Sequence, residues 1–252
     1  METQMELTGR VAIVTGAGRN IGRAMALELA AGGAAVVVNV RSNQQEAEAV
    51  VGAIEAAGGQ ALAAIGDVAD SVAVQAMAAA AVHRFGRIDF LINNAALRRE
   101  KPLEQMTLDD FHEVTGVILD GAFNCVKACL AELKRSGAGA IVNIGGMSAH
   151  TGSKHRVHVT AAKAGLVGLT RGLAHDLAVD NVTANCVIPG LIATPRDPNL
   201  PEPQHHSIHH TLSGKRGASE DIATAVRFLC GPGARFITGQ VLHVNGGAYL
   251  GS

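Results

Sequence analysis

Two constellations in this sequence carry the residue types that chemistry needs. The first is Thr15-Gly16-Ala17-Gly18-Arg19-Asn20-Ile21-Gly22, placed after the apolar run Val11–Thr15 and before the helical pattern Arg23–Ala31. A strand, a glycine-rich turn and a helix start make an anion site. Backbone N–H groups and the helix dipole converge there, and missing side chains let a pyrophosphate approach. Asn20 fits such a turn because asparagine tolerates left-handed backbone.

The second constellation is the window Ser148 to Lys163, which holds Lys154, His155, Arg156 and His158 in a chain only 17% charged. If the helix carrying Lys163 already includes His155, then His155, Val159 and Lys163 share one face, and His158 is turned about 100° away. His155 is then the better general base or hydrogen-bond donor, with cationic neighbours that disfavour its protonation. A histidine at a helix start also serves simply to satisfy backbone groups. A third cluster, His205, His206, His209 and His210, forms two i, i+4 pairs that would share a metal only with a third ligand such as Glu202 or His155. The reading preferred here is a polar lid with no metal site.

The elements that must position these groups follow from hydrophobic patterning. Val11–Thr15, Ala35–Val40, Ala61–Ile65, Ile88–Asn93, Ala140–Ile144, Val182–Ile188 and Gln240–Val244 are nearly continuous apolar runs separated by helical patterns. Strands buried on both faces need such runs, so the expected fold is α/β: a Rossmann-type doubly wound parallel sheet of about seven strands in three α/β/α layers. Ser42 with Gln45 and Thr107 with Asp110 suggest capping boxes, and Ser219-Glu220-Asp221 marks another helix start. Residues 194–217, rich in proline and histidine, interrupt the rhythm as a lid would. No linker divides residues 1–252, so one domain is expected.

Composition narrows the function classes. The chain has 252 residues, 48% hydrophobic, 30 glycines and a formal net charge of −1. It supplies no basic footprint for nucleic acid or an anionic membrane, and a small-molecule partner fits better. Cys125, Cys129, Cys186 and Cys230 have no metal-like spacing and read as reduced, buried thiols. The start of the chain has no apolar signal-like stretch and no aliphatic run is long enough to span a bilayer, so a cytoplasmic protein is expected.

The glycine turn resembles the TGxxxGxG of the short-chain dehydrogenase/reductase family. Asn93-Asn94-Ala95-Ala96 is similar to its NNAG, Pro189-Gly190 with Thr194 to its PGxxxT, and Thr238-Gly239-Gln240 with Asn245-Gly246-Gly247 to its last strand. The resemblance spans essentially the whole chain. It implies a nicotinamide cofactor held by Gly16, Gly18, Arg19, Asn20, Ile21 and Gly22. Asp67 and Val68 should meet the adenine, Asn93 and Ala95 the adenosine ribose, and Lys163 the nicotinamide ribose. Pro189, Gly190, Ile192 and Thr194 complete the expected site. The second strand ends Val38-Asn39-Val40-Arg41-Ser42, without the acid that favours NAD, so Asn39, Arg41 and Ser42 favour NADP(H), with NAD(H) the alternative. The resemblance further implies a homodimer or homotetramer, formed through long helices in which Ala161, Ala162, Ala164, Gly165 and Gly168 allow close packing.

The catalytic pattern of that family departs sharply here. Its tyrosine position, four residues before Lys163, holds Val159; its serine position holds Gly146; its helix asparagine position holds Ile118. Tyr249, the chain's one tyrosine, is at the other end. Lys163, His155, Ser148 and His158 are therefore the candidate catalytic residues, with Ser148 replacing the lost hydroxyl if the loop shifts. The expected activity is NADP(H)-dependent oxidoreduction of a small polar carbonyl or alcohol with a non-standard acid/base. The alternatives are a non-redox reaction such as hydration or isomerisation, and a silent dinucleotide-binding protein.

Overall fold

The computed structural model describes residues 5–194 and 210–251. Seven strands, β1 (Val11–Val14), β2 (Ala35–Val40), β3 (Ala61–Ile65), β4 (Phe90–Asn93), β5 (Ala140–Ile144), β6 (Thr183–Pro189) and β7 (Val241–Val244), form one parallel sheet in the order 3-2-1-4-5-6-7. The expected doubly wound sheet is thus present, each strand within two residues of its expected start. Period-2 alternation divides each strand between two cores. Ala12, Val14, Val36 and Val38 pack against α1 (Asn20–Ala31), α2 (Gln44–Ala56) and α8 (Ser219–Cys230). Ile13, Val37, Leu91 and Ile141 face α3 (Ser71–Phe85), α5 (Gly121–Arg135) and α7 (Val157–Leu177). Both faces are covered, which is why the strands read as unbroken apolar runs.

Several helix starts are set by side chains. Thr107 and Asp110 form the expected capping box of α4 (Leu108–Thr115). Asp221 accepts from the Ala218 N–H at the start of α8. At α2 the cap is Asn43 rather than Ser42. The Asn43 carboxamide reaches the Glu46 N–H, so Ser42 stays one residue outside the helix. Residues Gly116–Asp120 between α4 and α5 form a π turn, which sets Ile118 inward against Val159, Ala162 and Leu166. Leu108–Arg135 is long and apolar enough by composition to cross a bilayer. Here it is a core helix laid against α3 and α7.

Among the small residues of α7, Ala162 belongs to the chain's own core. Gly165 leaves room for Leu119, which a Cβ would meet at 2.8 Å. Ala161, Ala164 and Gly168 are the ones on the surface. All four cysteines are free and buried, and burial pushes the Cys186 thiol up to about 11. Below β4, Asp89 is fully buried and accepts from Arg87 Nε at 2.7 Å, Arg10 Nη1 at 2.8 Å and the Val11 N–H at 3.0 Å. These bonds outweigh the desolvation of Asp89 and hold its carboxyl below the usual range.

Candidate active site

The strand order reverses at β1, which pairs with β2 on one side and β4 on the other, and the crevice this creates at the carboxyl ends of the strands is where open α/β sheets bind ligands. A cleft of about 620 Å³ lies there. Gly16, Gly18, Arg19, Asn20, Ile21, Gly22, Asn39, Arg41, Ser42, Asp67, Val68 and Ala95 line it. Asn20 has φ +50° and Gly16 φ +62°, the left-handed turn expected from their types. Gly22 is required by contact, because a Cβ would sit 2.1 Å from the Gly16 carbonyl oxygen. Arg19, the N-cap of α1, offers no side-chain cap bond, and no acid stands in the first turn. The first N–H groups of α1 therefore meet the cleft without a side-chain acceptor, as a phosphate site requires.

Asn94 and Thr15, which stand in the quoted motifs without an assigned role, hold this turn. Asn94 Nδ2 donates to the carbonyls of Thr15 (2.9 Å) and Gly16 (3.0 Å), and the Asn94 and Ala95 N–H groups donate to Thr15 Oγ1. Asn93 is directed elsewhere. Its Nδ2 donates to Asn143 Oδ1 at 2.9 Å, Asn143 donates to Thr170 at 2.9 Å, and β4, β5 and α7 are thereby tied beneath Lys163. Asn39 spends its carboxamide on the Ala64 and Gly66 carbonyls. Glu46 was also missed. The end of β2 has no acid, yet α2 brings the Glu46 carboxylate to the cleft, where a Cβ on Gly18 would meet Oε2 at 2.9 Å. Pro189, the last residue of β6, and Gly190, Ile192 and Thr194 beyond it are not among the cleft's lining residues.

Lys163 is 7% exposed, and its Nζ donates to the Ile144 carbonyl at 2.5 Å. Burial, and then the Arg98 and Arg156 cations, push it down to about 7. Gly146 lies beside it. A Cβ there would stand 3.7 Å from Lys163 Cγ and 3.9 Å from Ser148 Oγ, so Lys163 and Ser148 both reach the space a Gly146 side chain would take. Val159 and Ile118 are in the apolar cluster behind.

The two histidines are placed differently from the helical-face argument. α7 begins at Val157, so His155 is off the helix, in a turn at φ +59°, with its carbonyl accepting from the Lys101 N–H. The spacing from His155 to Lys163 consequently does not make a shared face. His158 is on α7 and 1% exposed. Burial lowers its pKa most, and Asp110 and Arg99 on the α4 side are among its charged neighbours. Of the expected lid, residues 195–209, including Glu202, His205, His206 and His209, lie outside the described residues; His210 is exposed. Among the described residues no group of three His, Cys, Asp or Glu converges to hold a metal.

A family profile described as Enoyl-(Acyl carrier protein) reductase matches residues 16–249. The chain belongs to the short-chain dehydrogenase/reductase family. It is 38% identical over 247 residues to the 3-oxoacyl-[acyl-carrier-protein] reductase of Staphylococcus aureus, covering 98% of this chain and 100% of the relative. A dehydrogenase/reductase from Sinorhizobium meliloti superposes with TM-score 0.91 at 36% identity, over 98% of both chains. A short-chain dehydrogenase from Burkholderia cenocepacia in complex with NADP superposes with TM-score 0.89 at 35% identity, over 96% of this chain and 99% of that one. The family is one of oxidoreductases, and its members share this sheet.

Proposed function

We propose that this chain binds NADP(H) in the cleft and interconverts a carbonyl and an alcohol, with Ser148 and Lys163 doing the work that a tyrosine and a serine do elsewhere in the family. The observation that carries this reading is the convergence of Ser148 Oγ and the Lys163 stem on the space beside Gly146. Arg41 and Ser42 are at the end of β2, where a 2′-phosphate would lie, and Arg19 lines the same cleft. The Glu46 and Asp67 carboxylates line the cleft as well, and the reading of NADP(H) rests on Arg41 and Ser42 at the expected 2′-phosphate position. The NADP complex of the Burkholderia relative is consistent with this preference.

Bound NADP(H) supplies or accepts the hydride. Ser148 donates a hydrogen bond to the substrate oxygen. Lys163, near neutral pKa, gives a proton to the forming alkoxide in reduction and takes one back in oxidation, the behaviour expected of a matched acid/base. The Asn93–Asn143–Thr170 chain fixes the backbone under both groups. His155, in its strained turn, and His158, buried toward α4, act outside this pair. A 3-oxo compound heads the screen, since several relatives are named 3-oxoacyl-[acyl-carrier-protein] reductase.

Nicotinamide absorbance during turnover of a carbonyl panel is the test. Lys163→Met should abolish the change while NADPH still binds, and Ser148→Ala should lower kcat by about 100-fold. Unchanged kcat in both variants overturns the assignment. A second reading, non-redox chemistry or silent dinucleotide binding, is favoured by Val159, a buried apolar side chain that moves no proton. Product formed with constant nicotinamide absorbance would establish the former. The exposed faces of α4, α5 and α7, with Leu108, Phe123, Val157 and Ala161, are proposed as the oligomer contact. A single-chain mass by light scattering would remove that proposal.

A further inference from the structure

Ser148 opens α6 (Ser148–Thr151), a helix of one turn whose start carries no side-chain cap. So short a helix does not hold itself together in water, because its few hydrogen bonds do not repay the cost of the nucleus. Contacts from elsewhere must fix it, and with it the direction of Ser148 Oγ. α7 supplies one such surface. The end of the chain supplies another.

Three rings meet there: His150 on α6, His243 on β7 and Tyr249 in the tail that follows β7. The His150 and Tyr249 rings stack, with centroids 5.3 Å apart and planes inclined by 30°. His243 closes the triangle, edge-on to His150 at 4.8 Å and tilted against Tyr249 at 5.1 Å. At such separations aromatic pairs attract beyond the area they bury. Hydrogen bonds do not account for the cluster. His150 Nε2 and His243 Nδ1 are buried without a partner, and among the described residues the Tyr249 hydroxyl makes no hydrogen bond. Met147, immediately before Ser148, is buried with Cys186, Ile188 and Leu191 in an apolar cluster against which Tyr249 packs. Ser148 therefore lies between two residues, Met147 and His150, whose surroundings include the same ring.

The tail is itself anchored. Asn245, 6% exposed, donates from Nδ2 to the Tyr249 carbonyl at 2.9 Å and accepts the Gly247 N–H at 2.9 Å, which folds residues 245–249 into one turn. The Gly190 N–H donates to the Val244 carbonyl at 3.0 Å, and the Leu212 N–H to that of Gly246 at 2.8 Å. A ring carried on so restrained a segment imposes its position on α6 rather than following it.

We propose that Tyr249 is a positioning residue, which with His243 clamps His150 and through α6 sets Ser148 Oγ toward the space beside Gly146. This rests on the reading of Ser148 as the group that binds the substrate oxygen. The ring and not the hydroxyl carries the effect, so phenylalanine can replace Tyr249 and leucine cannot.

The test uses the full-length protein and the variants Tyr249→Leu, Tyr249→Phe, His150→Ala and the double variant of Tyr249→Leu with His150→Ala. Hydrogen exchange is followed at the Ala149, His150, Thr151 and Gly152 amides, whose acceptors lie in residues 146–148. Tyr249→Leu should speed their exchange about tenfold and leave β1 to β4 unchanged, while Tyr249→Phe stays within about twofold of the parent. The double variant should fall short of the product of the single effects by about threefold or more, the mark of residues in contact. In turnover, Tyr249→Leu should lower kcat about tenfold or more and change KM less than about threefold, since small displacements of a reacting group are costly. Unchanged exchange in Tyr249→Leu, equal acceleration across the sheet, or a Tyr249→Phe variant as impaired as Tyr249→Leu overturns the clamp. Unchanged kcat in Tyr249→Leu, where Ser148→Ala loses about 100-fold, overturns the positioning role. Unchanged kcat in Ser148→Ala would instead sink the catalytic reading of Ser148, and the exchange result would still decide whether the rings hold α6.

Discussion

Lys163 offers a thermodynamic test that needs no substrate. Burial and its cationic neighbours lower its pKa from 10.5 to about 7 in the folded chain. The unfolded chain keeps the ordinary value, so between pH 7 and pH 10 the unfolded state holds a proton that the folded state has released. Stability contributed by this group must rise with pH across that window, by about 1.4 kcal/mol per unit once the folded amine is neutral. With Lys163 half-titrated at the lower limit, the gain by pH 10 is about 3 kcal/mol. Lys163→Met keeps the apolar stem and removes the titration. It also loses the bond to the Ile144 carbonyl, an offset that does not vary with pH.

The readout is therefore the slope of the difference between the two proteins, measured by urea unfolding at pH 7, 8, 9 and 10. Circular dichroism is the signal, since the chain has no tryptophan. Cys125, Cys129 and Cys230, pushed up by burial, pull stability the other way above pH 8, but equally in both proteins, so the subtraction removes them. Cys186, at about 11 beside Lys163, stays protonated in both folded states below pH 10. Parallel stability profiles would refute the depressed lysine and with it the proton-transfer role.

Three further outcomes follow from the same contacts. Gly22→Ala places a methyl 2.1 Å from the Gly16 carbonyl. The turn must shift by about 1 Å, costing about 1–3 kcal/mol in urea unfolding and weakening NADPH about tenfold or more. Asp89→Asn leaves Arg10 and Arg87 without their buried acid and should cost about 3 kcal/mol at pH 7, the low end for such pairs because both arginines reach solvent. Because Asp89's folded pKa is depressed, that advantage is complete above the ordinary carboxylate range and fades as pH falls through the lower folded value. Arg41→Asp should weaken NADPH about tenfold and leave NADH unchanged or tighter, read by fluorescence titration. Equal losses for both cofactors would detach Arg41 from the 2′-phosphate.

The sheet was legible because its inner strands are buried on both faces, and such strands cannot be written without continuous Val, Ile, Ala and Leu. The glycine turn was legible for a similar reason, since few residue types survive a positive φ at Gly16 or the contact at Gly22. What escaped depended on direction rather than type. Glu46 reads as an ordinary first-turn acid of α2, and only the fold turns it into the cofactor cleft. Arg98 and Arg99 are adjacent, chemically identical and both line the cleft, yet only Arg99 also pairs with Glu113 on α4. The register of α7 escaped too, because Arg156 provides no side-chain cap and His155 adopts a left-handed turn that its residue type does not announce. Ser148 was named as the replacement hydroxyl, and its reach depended on the short helix α6 (Ser148–Thr151) that follows Gly146.

The most direct test of the account is calorimetric titration of the purified, cofactor-free protein with NADPH and then NADH. Binding of both with Kd in the micromolar range, NADPH the tighter, is the predicted result, and Gly22→Ala should lose it. No binding of either dinucleotide would contradict the assignment of the cleft and the redox function built on it.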